Sequence, residues 1–133
     1  MDAILVDTSV WVNFFRDIPA PANDFLDRNF TSIIITICPV ILQEIFQGIA
    51  TDTDEKAVKP YFENLVRLTD DPYIIAFEAA GLYRSLRKRG ITIRKSNDCL
   101  IAAYAIRNDI ELLHSDRDFT NIAAFSDLKT VSV

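Results

Sequence analysis

Four acidic residues stand where an acid is out of place. Asp7 ends the apolar run Ala3 to Val6, Glu44 interrupts Val40-Ile41-Leu42-Gln43-Glu44-Ile45-Phe46, Asp98 opens the apolar stretch Leu100 to Ile106, and Asp116 follows Ile110-Glu111-Leu112-Leu113. A carboxylate at the exit of a buried strand, or on the apolar stripe of a helix, is costly to desolvate unless something positive meets it. The simplest positive partner that several carboxylates can share is a hard divalent cation, Mg²⁺ or Mn²⁺. The chemistry to expect is that of an oxygen-ligated metal centre.

The elements that must position these acids can be read from periodicity and punctuation. Ala3 to Val6 predicts a short buried strand, followed by a helix that Thr8 or Ser9 can cap. A second helical segment follows Pro21, and the β-branched run Ile33 to Ile37 predicts another strand. Cys38-Pro39 then starts the helix that carries Val40 to Gly48. Two amphipathic helices, Thr53 to Leu68 and Pro72 to Arg89, are expected on either side of the turn at Thr69-Asp70-Asp71, with Gly90 closing the second. A further helix runs from Ser96 to about Arg107. Ile110 to Leu113 predicts a third strand, Phe119 to Phe125 a short helix, and Lys129 to Val133 a terminal strand.

Strands alternating with helices imply a parallel sheet covered on both faces, a three-layer α/β/α sandwich spanning residues 1–133 as one domain. Ligands of such sheets collect at the carboxyl ends of the strands, where Asp7 and Asp116 stand. Asp98 precedes Ile101, Ala102 and Ala105 by three, four and seven residues, so it shares their inward face. By the same spacing Glu44 lies on the stripe of Val40, Ile41 and Gly48. All four acids can converge.

With half of its residues hydrophobic and only three glycines, the chain is expected to fold rather than stay disordered. The N-terminus has no basic stretch before its apolar run, and no apolar segment approaches the roughly 18 residues of a membrane helix, so a soluble, cytoplasmic protein is expected. Cys38 and Cys99 lie in apolar surroundings and read as buried thiols; with His114 as the only histidine, zinc has too few of its usual ligands. The net charge of −5 argues against a nucleic-acid partner, yet Arg84, Arg87, Lys88, Arg89, Arg94 and Lys95 fall together with no acid between Glu78 and Asp98. A solvated helix end would explain the run alone. It leads directly into Asp98, however, and so reads as a candidate phosphate-binding segment.

Taken singly, each acid also has an ordinary reading. Asp7 could cap the first helix, Asp98 could be a first-turn acid favoured by the helix dipole, Glu44 could sit at a boundary, and Asp116 with Asp118 could be loop acids. Four together at two strand ends and two inward helix faces are far less readily incidental. Trp11, Phe14 and Phe15 are best read as core packing. Other chemistries fit worse. Asp116 to Asp127 lacks the Gly and the final Glu of a calcium loop, three scattered glycines cannot build a phosphate-cradling loop, and Ser115 beside His114 has no elbow motif.

Ile4-Leu5-Val6-Asp7-Thr8-Ser9-Val10-Trp11-Val12-Asn13-Phe14-Phe15, then Glu44, then Asn97-Asp98-Cys99-Leu100-Ile101-Ala102-Ala103-Tyr104-Ala105, then Leu112-Leu113-His114-Ser115-Asp116-Arg117-Asp118-Phe119 resemble, in order and spacing, the PIN-domain ribonucleases, and among them the VapC-like toxins of toxin–antitoxin pairs. The resemblance spans nearly the whole chain. It implies Asp7, Glu44, Asp98 and Asp116 as metal-binding acids, with Asp118 as a fifth. It further implies Mg²⁺, or Mn²⁺ in its place, an endoribonuclease acting on a structured RNA such as a transfer RNA or ribosomal RNA loop, products with 5′-phosphate and 3′-hydroxyl ends, a homodimer, and a cognate antitoxin that occludes the site. Within that scheme Asp7, Asp98 and Asp116 are ligands, Glu44 orients the attacking water or takes its proton, and Thr8 and Ser9 support carboxylates or water. Arg87, Lys88, Arg89, Arg94 and Lys95 are the expected RNA contacts. Where many relatives carry Thr or Ser two residues before the fourth acid, this chain has His114, which leaves the expected hydroxyl unaccounted for. A noncatalytic interaction module with the same fold stands as the alternative; a phosphatase of the HAD kind would want a second Asp where Ser9 stands.

Overall fold

The computed structural model describes residues 2–133. Four strands, β1 (Asp2–Val6), β2 (Ile33–Ile37), β3 (Val66–Arg67) and β4 (Glu111–Leu113), form one parallel sheet in the order β3-β2-β1-β4. Seven helices are described: α1 (Thr8–Phe15), α2 (Pro21–Asn29), α3 (Pro39–Gln47), α4 (Asp52–Glu63), α5 (Pro72–Lys88), α6 (Asn97–Arg107) and α7 (Arg117–Ala124). The first two crossovers step one way across the sheet and the third steps back past β1. Right-handed crossovers, the near-universal rule, then put their helices on opposite faces and give the α/β/α sandwich. The step back also opens a switch point between β1 and β4, at whose carboxyl ends parallel sheets hold ligands.

Strands covered on both faces are largely apolar. Leu5 and Val6 of β1 and Leu112 and Leu113 of β4 are fully buried. Trp11, Ile41, Ile101 and Phe119 bring α1, α3, α6 and α7 into the same core. Each such side chain contributes about 1.5–3 kcal/mol by leaving water. None of the described helices is long and apolar enough to cross a membrane.

Two expected elements are corrected. The helix expected over Thr53 to Leu68 stops at Glu63 with Asn64 as its cap. Pro60 lies in its last turns, and beyond the cap Val66 and Arg67 pair with Thr36 and Ile37 as the sheet's edge strand. A two-residue strand leaves no alternation for periodicity to detect, and the apolar Leu65, Val66 and Leu68 read as a continuing helix face. The terminal strand expected over Lys129 to Val133 reduces to a single parallel bridge, Leu112 to Thr130, held by Leu112 N–H to the Lys129 carbonyl and Val131 N–H to that of Leu112. Sheet pairing ends there because β4 is itself only three residues long. Smaller shifts affect α6, which begins at Asn97 without a side-chain bond from Ser96, and α7, which begins at Arg117.

Candidate active site

Asp7 follows the last residue of β1 and caps α1. Its Oδ2 accepts the Ser9 N–H at 3.0 Å and the Ser9 Oγ hydroxyl at 2.6 Å. The ordinary capping reading is therefore true and leaves Oδ1 outside that network. Ser9 Oγ in turn accepts the Ser115 N–H at 3.0 Å, and the Asp7 N–H meets the Leu113 carbonyl at 2.9 Å, so the loops after β1 and β4 are tied together. Asp116 plays the same part for α7: its Oδ1 accepts the Asp118 N–H at 2.9 Å. Two neighbouring strand ends thus carry two helix-capping acids.

Glu44 reaches the same place from α3, where Pro39 in the first turn starts the helix directly after β2. Thr8 Oγ1 donates to Glu44 Oε1 at 2.8 Å. Asp98 projects from the first turn of α6 and is buried, and its Oδ2 has no hydrogen-bond partner. Asp7, Glu44, Asp98 and Asp116 line one cleft of about 310 Å³ with Thr8, Ser9, Val12, Asn13, Lys95 and Ser115. Asp118 is buried beside it, and one carboxylate oxygen each from Asp98, Asp116 and Asp118 falls within 4.8 Å of the others.

Burial dominates the electrostatics of the two most enclosed acids. It raises the Asp7 carboxyl above its ordinary range against the opposing bonds from Ser9, and the nearby Glu44 adds to the rise. Burial likewise pushes Asp98 up to about 7; Lys95 opposes it, while Asp7, Asp116 and Asp118 reinforce it. Like charges in a desolvated cleft are the condition that a shared cation relieves. An all-oxygen donor set, with a buried carboxylate oxygen that meets no proton donor, fits Mg²⁺ or Mn²⁺. Cys38 lies near Asp7 and Glu44, but burial raises its thiol to about 12, so it stays a neutral core residue.

His114 fills the place of the expected hydroxyl by a different bond. Its Nδ1 accepts the Asp116 N–H at 3.2 Å, and its ring packs on Phe119 with centroids 5.4 Å apart. The imidazole thus holds the turn that presents Asp116. Burial depresses its pKa below the ordinary value, which keeps that acceptor available.

The basic run divides in two. Gly90, with φ of 79°, ends α5 in a turn where its own N–H meets the Arg87 carbonyl and the Ile91 N–H meets that of Leu86. The chain then passes over the buried Ile93 to Arg94 and Lys95, which pair with Asp116 and Asp118. Arg87 and Arg89 instead lie over the rings of Tyr83 and Phe125, each 5.7 Å from the centroid, and neither they nor Lys88 line the acid cleft. Val12 and Asn13 were not singled out from the sequence. The signal was there: they stand four residues after Thr8 and Ser9, on the same face of α1.

The PIN domain family matches residues 4–124. This chain belongs to that family. Ribonuclease VapC11 of Mycobacterium tuberculosis is 37% identical over 131 residues, covering 97% of this chain and 98% of that protein. Among solved structures, VapBC2 from Rickettsia felis, bound to a DNA fragment from its promoter, matches with a TM-score of 0.73 at 18% identity over 97% of both chains. VapBC-1 from nontypeable Haemophilus influenzae gives a TM-score of 0.73 at 17% identity, over 98% of this chain and 97% of that one. The structural matches carry the PIN-like fold, and the VapC11 match carries the likeness to the VapC ribonucleases.

Proposed function

We propose that this PIN-domain protein is the toxin of a toxin–antitoxin pair, a Mg²⁺-dependent endoribonuclease that cuts a structured RNA to leave 5′-phosphate and 3′-hydroxyl ends. The observation that carries the reading is that Asp7, Glu44, Asp98 and Asp116 line one cleft at the carboxyl ends of β1 and β4. Asp7, Asp98 and Asp116 would hold the ion, with Asp118 beside them. When bound, the ion supplies the positive charge that cancels the carboxylates, acidifies a water and polarises the scissile phosphate.

The chain's own groups do the rest. Thr8 fixes one oxygen of Glu44, so the other can orient the attacking water and take its proton. The water oxygen bonds to phosphorus as the bond to the 3′ oxygen breaks, and that oxygen leaves with a proton from solvent. Ser9 fixes Asp7 against the loop that carries Asp116, so two acids from different strands keep one geometry. Lys95 and Arg94 supply the positive charge at the rim that an acidic protein needs to meet a polyanion, with Arg87, Lys88 and Arg89 further along the same strip of chain.

An antitoxin segment carrying Arg or Lys fits the cleft, since a cation there matches the acids and blocks the phosphate. A second copy of the chain fits the exposed aromatic face of α5, where Phe77 is 80% exposed beside Tyr73 and Ile74. Incubating the purified protein with total cellular RNA and Mg²⁺, then mapping new 5′ ends, tests the activity. A small set of cuts in one structured RNA is expected; an RNA population unchanged from the Asp7→Asn control rejects it.

A further inference from the structure

The acid cleft carries cations of its own. Arg94 Nε lies 3.1 Å from Asp118 Oδ2 and Arg94 Nη2 lies 3.6 Å from Asp116 Oδ1, while Lys95 Nζ lies 3.5 Å from Asp116 Oδ2. The two sides of these pairs differ in freedom. The basic side chains are 64% and 57% exposed, whereas those of Asp116 and Asp118 are 15% and 8% exposed. Residues 91–96 form neither helix nor strand, and the buried Ile93 pins the segment just before the two cations. The acids are fixed and the cations can swing.

The pairing is also incomplete. Both oxygens of Asp116 face a cation, as does Oδ2 of Asp118, but the neighbouring Asp98 Oδ2 meets none. Arg94 and Lys95 together carry the charge of one divalent ion without filling its place. An ion held in part by Asp116 would need an oxygen on which one of the two side chains now rests, and its charge would repel both.

We propose that Arg94 and Lys95 are exchangeable counter-ions. They neutralise Asp116 and Asp118 while the metal is absent, and turn outward to the RNA phosphates when the metal arrives. Metal loading and grip on the RNA backbone are therefore coupled through the same two side chains. This rests on the metal-dependent reading of the cleft. It makes Arg94 and Lys95 positioning residues whose removal has opposite effects on the two ligands. A fixed clamp that merely shaped Asp116 and Asp118 would weaken both.

The test is calorimetric titration of Mn²⁺ into the full chain, comparing wild type with the double variant Arg94→Ala, Lys95→Ala. A control, Lys56→Ala with Lys59→Ala, removes the same charge from α4. The double variant should bind Mn²⁺ roughly three- to tenfold more tightly, the gain from no longer breaking two exposed ion pairs, and the control should not. With Ca²⁺ present to suppress turnover, the double variant's RNA affinity should fall and its salt slope shrink by roughly 1.4, two phosphates on a single strand, whereas in chelator the loss should be small. Arg94→Gln with Lys95→Gln keeps much of each stem and should repeat the result, which separates it from misfolding. Equal or weaker Mn²⁺ binding by both double variants overturns the proposal, as does an equal loss of RNA affinity with and without Ca²⁺. Wild-type protein that binds no Mn²⁺ would instead remove the metal-dependent reading itself.

Discussion

Asp98 shows how one residue ties the stability of this fold to its proposed chemistry. Its carboxyl is buried, its Oδ2 meets no donor, and its pKa is raised from 3.8 to about 7. Between those values the metal-free native chain holds a proton that the unfolded chain has lost. The stability this contributes is present below about pH 4 and is lost as pH rises through about 7, by up to about 4 kcal/mol. Melting in chelator should therefore give a lower Tm at pH 7.5 than at pH 5, and Asp98→Asn should flatten the difference; a wild-type Tm that rises across this window would contradict the assignment. Asp7→Asn and Asp98→Asn should each lower cleavage at least about a hundredfold while leaving the fold intact. The acids were legible in the sequence because a charge at an apolar place stands out against its neighbours. Val12 and Asn13 were legible only through their spacing from Thr8 and Ser9, because on a half-buried helix face a Val and an Asn raise no such contrast.

Elements bring these side chains together, and the link between the loops after β1 and β4 runs partly through one side chain. Ser9 Oγ donates to Asp7 and accepts from the Ser115 N–H, so one hydroxyl joins two strand-end loops. Ser9→Ala should cost about 1–2 kcal/mol in thermal or denaturant melts and lower cleavage more than it lowers RNA binding. An unaffected cleavage rate would show that the link does not position Asp7. The order of the main strands and helices was readable because each apolar run is bounded by Pro, Gly or a capping residue. The failures lie where pairing partners far along the chain decide: Val66-Arg67 becomes a strand only because Thr36-Ile37 offers an edge, and Thr130 stops at one bridge because β4 is short. The basic run divides for a similar reason, since the turn at Gly90 sends Arg94 and Lys95 to the acids and leaves Arg87 and Arg89 on aromatic rings. Arg94→Ala should accordingly impair cleavage more than Arg87→Ala, while Arg87, Lys88 and Arg89 changed together should flatten the salt dependence of RNA binding; an unchanged slope would return those three to a solvated helix end.

At the scale of the whole molecule, the exposed aromatic face lies on α5, no residue of which lines the acid cleft. On the proposed reading the aromatic face of α5 takes a second copy, so Phe77→Glu should yield monomers in sedimentation, and a dimer that survives the change would place the interface elsewhere. On the proposed reading the cleft serves metal and RNA together, and an antitoxin cation competes with both through charge. Everything proposed for this cleft depends on its acids holding a cation that the reaction needs. The most direct measurement is RNA cleavage by the purified wild-type protein across a Mg²⁺ titration, with excess chelator and with Asp7→Asn as controls. Cleavage should rise with Mg²⁺, vanish in chelator, return when Mn²⁺ is supplied, and be absent from the variant at every concentration. Cleavage that continues undiminished in chelator, or an Asp7→Asn protein as active as wild type, would contradict it.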